Sequence, residues 1–178
     1  QYEALIIPGG FSYGDYLRCG ALAARSPAMD SVREAAQKGL PILGICNGFQ
    51  ILCESGLLHG VLLRNEKLRF IDSWVDLEGK KIKGPWSEAL EKGPGNVVPI
   101  AHGECRFYAE DSVLNKLFDE ERVLATYVSG SNLNGSLRSI AGVLNETRNV
   151  CALMPHPERA MDVDIHGSDD GYSFFKGF

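Results

Sequence analysis

The chain contains 178 residues, of which 44% are hydrophobic and 23% are charged, and it carries a formal net charge of −5. This length fits one domain that spans 1–178, and the composition is typical of a folded globular protein rather than a disordered one. The basic residues are scattered apart from a short cluster at 80–83, and no apolar run approaches the roughly 20 residues of a membrane span, so neither nucleic acid nor a membrane is an expected partner.

The cysteine pattern indicates a reducing compartment. The five cysteines are odd in number and far apart, and no two of them have the Cys-x-x-Cys spacing of zinc or redox sites. We therefore expect a cytoplasmic protein whose cysteines hold no metal.

The first part of the chain alternates apolar runs with helical patterns. Residues 4–7 form an apolar run that predicts a buried strand, and Ser26-Pro27 begins a predicted helix over 27–38. A second apolar run at 40–45 predicts another strand, followed by a helix from Phe49 to near Gly56. This strand, helix and strand spacing favours parallel pairing of the two strands.

The second part is richer in predicted strands. A helix is expected at 111–118, and the strands are expected at 70–77, 96–100, 123–128, 140–144 and 150–154. Five polar residues between the last two strands predict a hairpin loop. The sequence therefore predicts an α/β fold whose sheet is parallel at its centre and has antiparallel additions.

The segment Gly44-Ile45-Cys46-Asn47-Gly48 has the form of a nucleophile elbow between a strand and a helix. The backbone of a nucleophile at such a turn is strained, and side chains two residues away on either side would collide with it. The N-terminus of the following helix favours a thiolate. Cys46 is therefore the predicted nucleophile.

The best candidate for a base is His156, in Met154-Pro155-His156-Pro157-Glu158. This segment follows a predicted strand, and ligands bind at the carboxyl ends of strands in open α/β sheets. Pro157 disfavours helix at His156, so an extended segment would project His156 and Glu158 to one side. Glu158 would then orient the imidazole.

A glycine-rich turn, Pro8-Gly9-Gly10-Phe11, follows the first predicted strand. Its backbone N–H groups can stabilise a developing oxyanion together with the N–H of Asn47. We expect Gly10 and Asn47 to form this oxyanion hole.

At these residues the sequence resembles the triad-type, or class I, glutamine amidotransferases. The elbow with the following Gln50, over 44–50, and the Pro-His-Pro-Glu-Arg signature at 155–159 carry this resemblance. Within the family it is similar to the separate glutaminase subunits of phosphoribosylformylglycinamidine synthases, through 8–18, 99–104 and 134–136. The resemblance implies a flavodoxin-like three-layer sandwich with a mostly parallel central sheet and antiparallel additions.

The resemblance also implies ligands and partners. It implies that Gln50, His102 and Gly103 contact a glutamine substrate, and Gly9 is a further candidate for substrate binding. No cofactor is expected on this chain, since ATP and magnesium would bind a separate large synthetase subunit that consumes the ammonia. A small third subunit is a further expected partner.

The sequence departs from the family pattern at several places. Cys105 and Leu133 stand where the family usually has Gly and Pro, and 78–95 matches the pattern poorly. The family has a strand and a helix before the region of Tyr2, so the chain is expected to lack them and to stop inside its last helix at Phe178.

Three alternatives are considered. A glutaminase of another pathway, such as GMP or CTP synthesis, would differ at 9–18, and a cysteine hydrolase or chaperone of the same architecture would lack the pair at 155–158. A scaffold subunit without activity would have lost a triad residue, yet all three are present.

Overall fold

A computed structural model describes residues 2–90 and 93–175, and within these ranges it contains nine strands and four α-helices. The strands are β1 (Leu5–Ile7), β2 (Ile42–Ile45), β3 (Val61–Leu63), β4 (Ile71–Gly79), β5 (Gly93–His102), β6 (Arg106–Tyr108), β7 (Val123–Tyr127), β8 (Ile140–Leu144) and β9 (Val150–Leu153). The helices are α1 (Ala28–Gln37), α2 (Asn47–Glu54), α3 (Asp111–Asp119) and α4 (Val163–His166). The expected chain end inside a last helix at Phe178 lies outside the described residues.

Seven strands form one sheet in the order β1-β2-β9-β8-β7-β4-β5. The β1–β2 and β2–β9 pairs are parallel, whereas the remaining pairs in this sheet are antiparallel. The predicted α/β class is confirmed, but the expectation of a mostly parallel sheet is wrong. The short connection between β8 and β9 allows only antiparallel pairing, because a parallel pair needs a crossover of a dozen or more residues.

The centre of the large sheet is buried and apolar except for Thr126 of β7. Every residue of β2, β7, β8 and β9 is buried. Continuous apolar runs of this kind are typical of strands covered on both faces, which is why the sequence pattern located them well.

A second sheet pairs β3 with β6 in antiparallel register, and the sequence did not predict it. Each of its strands has three residues, too few for a periodic pattern to be detected. The buried Phe107 of β6 stacks on Phe49 of α2, with ring centroids 5.9 Å apart. This contact places the β5–β6 turn over the start of α2.

No helix in the described part of the chain is long and apolar enough to cross a bilayer.

Candidate active site

The candidate site lies where three neighbouring parallel strands end. Ile7 of β1 pairs with Gly44 of β2, and Ile45 of β2 pairs with Leu153 of β9, so the three carboxyl ends share one edge of the sheet. The segments that follow these ends carry the glycine-rich turn, the elbow and the predicted base. The sheet therefore brings together three motifs that are far apart in sequence.

Cys46 occupies a strained backbone position between β2 and α2. Its φ of 50° and ψ of −105° lie outside the regions that a side chain favours, as the elbow pattern predicts. Its N–H donates to the Leu153 carbonyl at 2.9 Å, and its own carbonyl accepts from the N–H of Phe49 at 2.9 Å. These bonds hold the thiol at the N-terminus of α2.

The two glycines of the elbow have a steric purpose that differs from the predicted one. A Cβ at Gly48 would collide with the Ile7 backbone of β1, and a Cβ at Gly44 would collide with Leu52 and Gly48. The glycines therefore allow α2 to pack against β1 and β2, rather than clearing space around the thiol itself.

The surroundings of Cys46 favour its thiolate. The neighbouring Cys105 thiol stabilises the negative charge most, and His156 and the backbone N–H of Asn47 add to this effect. Burial opposes ionisation, but together these groups lower the pKa of Cys46 from an ordinary value of 9.0 to about 5. Cys46 is therefore charged at neutral pH.

His156 and Glu158 meet through a turn rather than through an extended segment. The expected extended arrangement is wrong, because Pro157–Arg159 forms a single 3-10 turn. This turn brings Glu158 back toward the imidazole, so that Nδ1 of His156 lies 2.6 Å from Oε1 of Glu158. Nδ1 carries the proton in this contact, which leaves Nε2 to face the pocket.

The second ring nitrogen of His156 faces the thiol. Nε2 is buried and has no partner of ordinary hydrogen-bond geometry among the described residues, yet it lies near enough to Cys46 for each group to shift the other's pKa. Burial disfavours the imidazolium, but Cys46 and Glu158 outweigh it and raise the pKa of His156 to about 9. A loose contact of this kind is common in sites without substrate.

The glycine-rich turn packs directly against this pair. A Cβ at Gly9 would lie 2.8 Å from Cε1 of His156 and 3.5 Å from Cβ of Cys46. Gly9 therefore sits behind the two side chains, where only a hydrogen fits. Gly10 lines the pocket with φ of 145°, a conformation that favours glycine.

We expect Gly9→Ala to lower turnover in the reaction expected of Cys46 by about 100-fold, because a displacement of the imidazole by about 1 Å costs this much. Steady-state kinetics measure the effect. Gly39→Ala is the control for replacing a glycine away from the site: open space surrounds Gly39, and its backbone, at φ of 80°, disfavours alanine. That variant should lose stability and keep its turnover, and equal turnover of Gly9→Ala and wild type would contradict the predicted role of this contact.

The side chain of Asn47 has a structural role that the sequence did not indicate. Its Oδ1 accepts the N–H of Ser12 at 3.2 Å, and its Nδ2 donates to Oε1 of Gln50 at 2.7 Å. Gln50 in turn donates to the Glu104 carbonyl at 2.6 Å. The two amides therefore tie the glycine-rich loop, α2 and the β5–β6 turn into one wall of the site.

The loop after the glycines is conformationally strained. Tyr13, Asp15 and Leu17 all have positive φ values, between 54° and 68°. Non-glycine residues rarely adopt this conformation, so the surrounding contacts must hold this loop in a strained shape beside the pocket.

A pocket of about 230 Å³ opens above the thiol. It is smaller than the roughly 300–1,000 Å³ of pockets for drug-sized ligands, so it suits a ligand of amino-acid size. Its lining brings together most of the predicted site residues, namely Gly10, Cys46, Gln50, His102, Gly103 and His156. It also contains Asp15, Glu104 and Arg159, which the sequence did not single out.

His102 is an uncharged histidine at the pocket wall. It is 3% exposed, and neither ring nitrogen has a hydrogen-bond partner among the described residues. Burial lowers its pKa to about 4, so the ring is neutral at physiological pH and can offer one donor and one acceptor. An unsatisfied buried imidazole of this kind is suited to binding a polar substrate.

We expect alkylation of Cys46 by iodoacetamide to reach half its maximal rate near pH 5, because the lowered pKa keeps the thiolate present above that pH. The rate should stay high at neutral pH. Quantitative mass spectrometry at each pH gives the profile, with Cys53, whose pKa burial raises, as the internal control. A midpoint near 9 for Cys46 would contradict the predicted thiolate.

The described residues contain no group of three or more His, Cys, Asp or Glu side chains arranged to hold a metal ion.

A thiolate on a strained elbow, beside an imidazole that a carboxylate orients, is the arrangement of triad-type cysteine hydrolases and amidotransferases. The chain belongs to the CobB/CobQ-like glutamine amidotransferase domain family, whose model matches residues 1–168. The class expected from the elbow and the His-x-Glu pair is thereby confirmed.

Several relatives are similar over almost the whole chain. The phosphoribosylformylglycinamidine synthase subunit PurQ of Nostoc sp. is 52% identical, with 98% of this chain and 77% of the relative covered. The subunit PurQ of Methanosarcina acetivorans is 49% identical, with coverage of 98% and 78%. A solved structure, PurLQS from Thermotoga maritima, has a TM-score of 0.88 at 49% identity, covering 99% of this chain and 78% of that one.

Proposed function

We propose that this chain is the glutaminase subunit of a phosphoribosylformylglycinamidine synthase, which hydrolyses glutamine to glutamate and ammonia and delivers the ammonia to a synthetase subunit in purine biosynthesis. The observation that carries the proposal is the grouping of Cys46, His156 and Glu158 beneath one pocket. The identity of about half the residues with named PurQ subunits, over nearly the whole chain, supports this particular synthase.

The first half of the proposed reaction forms a thioester. The Cys46 thiolate attacks the carboxamide carbon of glutamine, and the carbonyl electrons move to the oxygen. The N–H groups of Gly10 and Asn47 stabilise this oxyanion. The intermediate then collapses and expels ammonia, which leaves after taking the proton held on Nε2 of His156.

The second half releases glutamate. The now neutral His156 accepts a proton from a water molecule, whose oxygen attacks the thioester carbon. The carbon–sulfur bond breaks, and the thiolate and imidazolium return to their starting states. Glu158 stabilises the charged imidazole in both halves through its contact with Nδ1.

The charges of the pocket suit a free amino acid. Asp15 and Glu104 supply negative charge for an α-ammonium group, and Arg159 supplies positive charge for an α-carboxylate. His102 and Gln50 line the same pocket, and Gly103 has no side chain that would fill it. These contacts support glutamine as the substrate and define where its polar ends would bind.

The surface around the pocket supports a protein partner. Phe11, Tyr16, Leu17 and Phe70 are 57% to 90% exposed, and two of them, Phe11 and Phe70, also line the pocket. Exposed apolar clusters of this kind mark interaction sites. A synthetase subunit of PurL type docked here would receive ammonia at the pocket mouth.

The other subunits of the complex and their ligands are part of the same proposal. The name PurLQS joins PurQ to two further components, which correspond to the large synthetase subunit and the small third subunit expected here. ATP and magnesium would bind the synthetase subunit, and this chain itself would need no cofactor. The complex would act in the cytoplasm, where the five cysteines of this chain stay reduced.

The test is a glutaminase assay of this chain alone and with candidate PurL-type and PurS-type subunits, with and without ATP. We expect formation of glutamate and ammonia, and product formation on the phosphoribosyl substrate only in the assembled mixture. Glutamine hydrolysis that supports GMP or CTP synthesis instead would refute the assignment to this synthase while leaving the glutaminase in place.

A further inference from the structure

The pocket contains a second thiol that the proposed reaction does not use. Cys105 lies in the turn between β5 and β6, lines the pocket together with Cys46, and is 1% exposed. A buried thiol beside a nucleophile is chemically significant, because two nearby sulfurs can be oxidised to a disulfide.

The backbone of Cys105 is held on both sides. Its N–H donates to Oδ1 of Asn65 at 3.3 Å, and its carbonyl accepts from Nδ2 of Asn134 at 2.9 Å. Both asparagines are fully buried. The position of Cys105 is therefore fixed by the surrounding fold rather than by its own loop.

The Cys105 sulfur points toward the elbow. It accepts from Nε2 of Gln50 at 3.8 Å, and the backbone N–H of Gln50 donates to the Cys46 carbonyl at 3.2 Å. The two thiols also act on each other directly, since Cys105 stabilises the Cys46 thiolate, and burial together with Cys46 raises the pKa of Cys105. The pair therefore consists of one thiolate and one neighbouring thiol.

A third pocket thiol is engaged elsewhere. Sγ of Cys19 donates to Oε2 of Glu104 at 3.2 Å, and burial together with the carboxylates of Glu104 and Asp15 raises its pKa. Its sulfur remains a protonated donor to these acids. Cys105 is thus the better partner for Cys46.

We propose that Cys105 is a resolving cysteine, which forms a reversible disulfide with Cys46 when hydrogen peroxide enters the pocket. The inference rests on the proposed role of Cys46 as the nucleophile, because peroxide must reach its sulfur through the pocket and that sulfur must be reactive. The disulfide would stop glutamine hydrolysis and protect the nucleophile from irreversible oxidation.

The chemistry balances in two steps. The Cys46 thiolate attacks one peroxide oxygen, the O–O bond breaks, and the released hydroxide takes a proton to become water, which leaves a sulfenic acid. The Cys105 sulfur then attacks the Cys46 sulfur, forming the S–S bond and expelling hydroxide, which becomes water with the Cys105 proton. Two thiols lose two electrons, and peroxide is reduced to two water molecules. A dithiol reductant reverses the change.

The experiment treats the reduced 178-residue chain with hydrogen peroxide, blocks free thiols and maps disulfides by mass spectrometry. We expect the intact mass before blocking to fall by two hydrogen atoms, and a peptide containing Cys46 to be joined to one containing Cys105. Trypsin leaves Cys46 and Cys53 in one peptide, because no Lys or Arg lies between them. Mapping in Cys53→Ser removes this ambiguity and also serves as the matched control.

Cys105→Ser keeps a hydrogen-bond donor but removes the second sulfur. Its Cys46 should accumulate as sulfenic acid, which dimedone traps, and then oxidise further. Each variant is treated with peroxide and then with dithiothreitol, and its Cys46 is then labelled by a glutamine-analogue electrophile. The amount of label on Cys46 should be about tenfold lower in Cys105→Ser than in Cys53→Ser. The untreated sample of each variant is its own reference.

Any of three results would overturn the inference. One is a disulfide that joins Cys46 to Cys19, and another is full recovery of Cys105→Ser by dithiothreitol. Absence of any cross-link in a chain whose untreated Cys46 reacts with the glutamine analogue would refute this inference alone. Failure of the untreated Cys46 to react would instead refute the proposed glutaminase.

Discussion

Cys46→Ala should abolish glutamine-dependent product formation by the reconstituted synthase while leaving ammonia-dependent formation intact. Loss of the nucleophile removes the only thiolate positioned to attack the carboxamide among the described residues, and removal of a triad nucleophile elsewhere lowers turnover by about 10⁶-fold. The synthetase subunit uses ammonia however it arrives, so added ammonium salts should restore product. Paired assays with glutamine and with ammonium chloride measure both activities.

The control for this variant is Cys53→Ala, which removes a thiol from the same helix outside the pocket. It should retain both activities. Size-exclusion chromatography shows that each variant still assembles with its partners. Loss of both activities in an assembled Cys46→Ala complex would mean that Cys46 serves the synthetase reaction or its coupling, and the ammonia-donor account would be wrong.

Glu158→Gln should lower glutaminase turnover by about 10⁴-fold, which is the loss seen when the orienting acid of a comparable triad is neutralised. The glutamine keeps the size of the side chain but removes the charge that lies 2.6 Å from Nδ1 of His156. The imidazolium is then less stable and the ring is free to adopt the wrong tautomer. Steady-state kinetics measure the decrease, and ammonia-dependent synthesis should persist.

A surface glutamate provides the comparison for Glu158. Glu146 lies 2.7 Å from Nζ of Lys116 in an exposed ion pair far from the pocket. Glu146→Gln should change turnover little, because exposed ion pairs contribute about 0–1 kcal/mol. Equal kinetics of Glu158→Gln and Glu146→Gln would show that Glu158 has no role in orienting His156.

The main elements of the fold could be predicted because their patterns are local. The buried strands β2, β7, β8 and β9 are continuous apolar runs, and α1 has clear start and stop signals. The direction of pairing was predicted less well, since it depends on which strands become neighbours in space. The three-residue strands β3 and β6 are too short for a pattern, and the packing of Phe107 on Phe49 is a contact that no local pattern records.

The residues of the candidate site that belong to a recognisable motif were predicted from the sequence. The elbow at Cys46 and the His-x-Glu pair are recognisable from spacing alone, and the structure places them at one sheet edge. The route by which Glu158 reaches His156 was not predictable, because Pro157 starts a 3-10 turn instead of an extended segment. The His-x-Glu motif was therefore recognisable in the sequence, whereas its geometry became known only from the structure.

Contacts between distant segments account for what the sequence missed. The tie from Asn47 through Gln50 to Glu104 joins residues more than fifty positions apart, and it exists only after β5 and α2 have packed. The approach of Cys105 to Cys46 has the same origin. No spacing pattern in the sequence reports these particular amide and thiol contacts, so they become visible only in three dimensions.

The most direct test of the account is the site of covalent modification by a glutamine analogue that carries a chloroketone at the position of the carboxamide. We expect one adduct per chain, on Cys46, whose formation excess glutamine prevents. Peptide mapping by mass spectrometry locates the adduct, with Cys53→Ser used to separate the two cysteines that share a tryptic peptide. An adduct on Cys19 or Cys105 that glutamine prevents, with Cys46 unmodified, would contradict the assignment of Cys46 as the nucleophile.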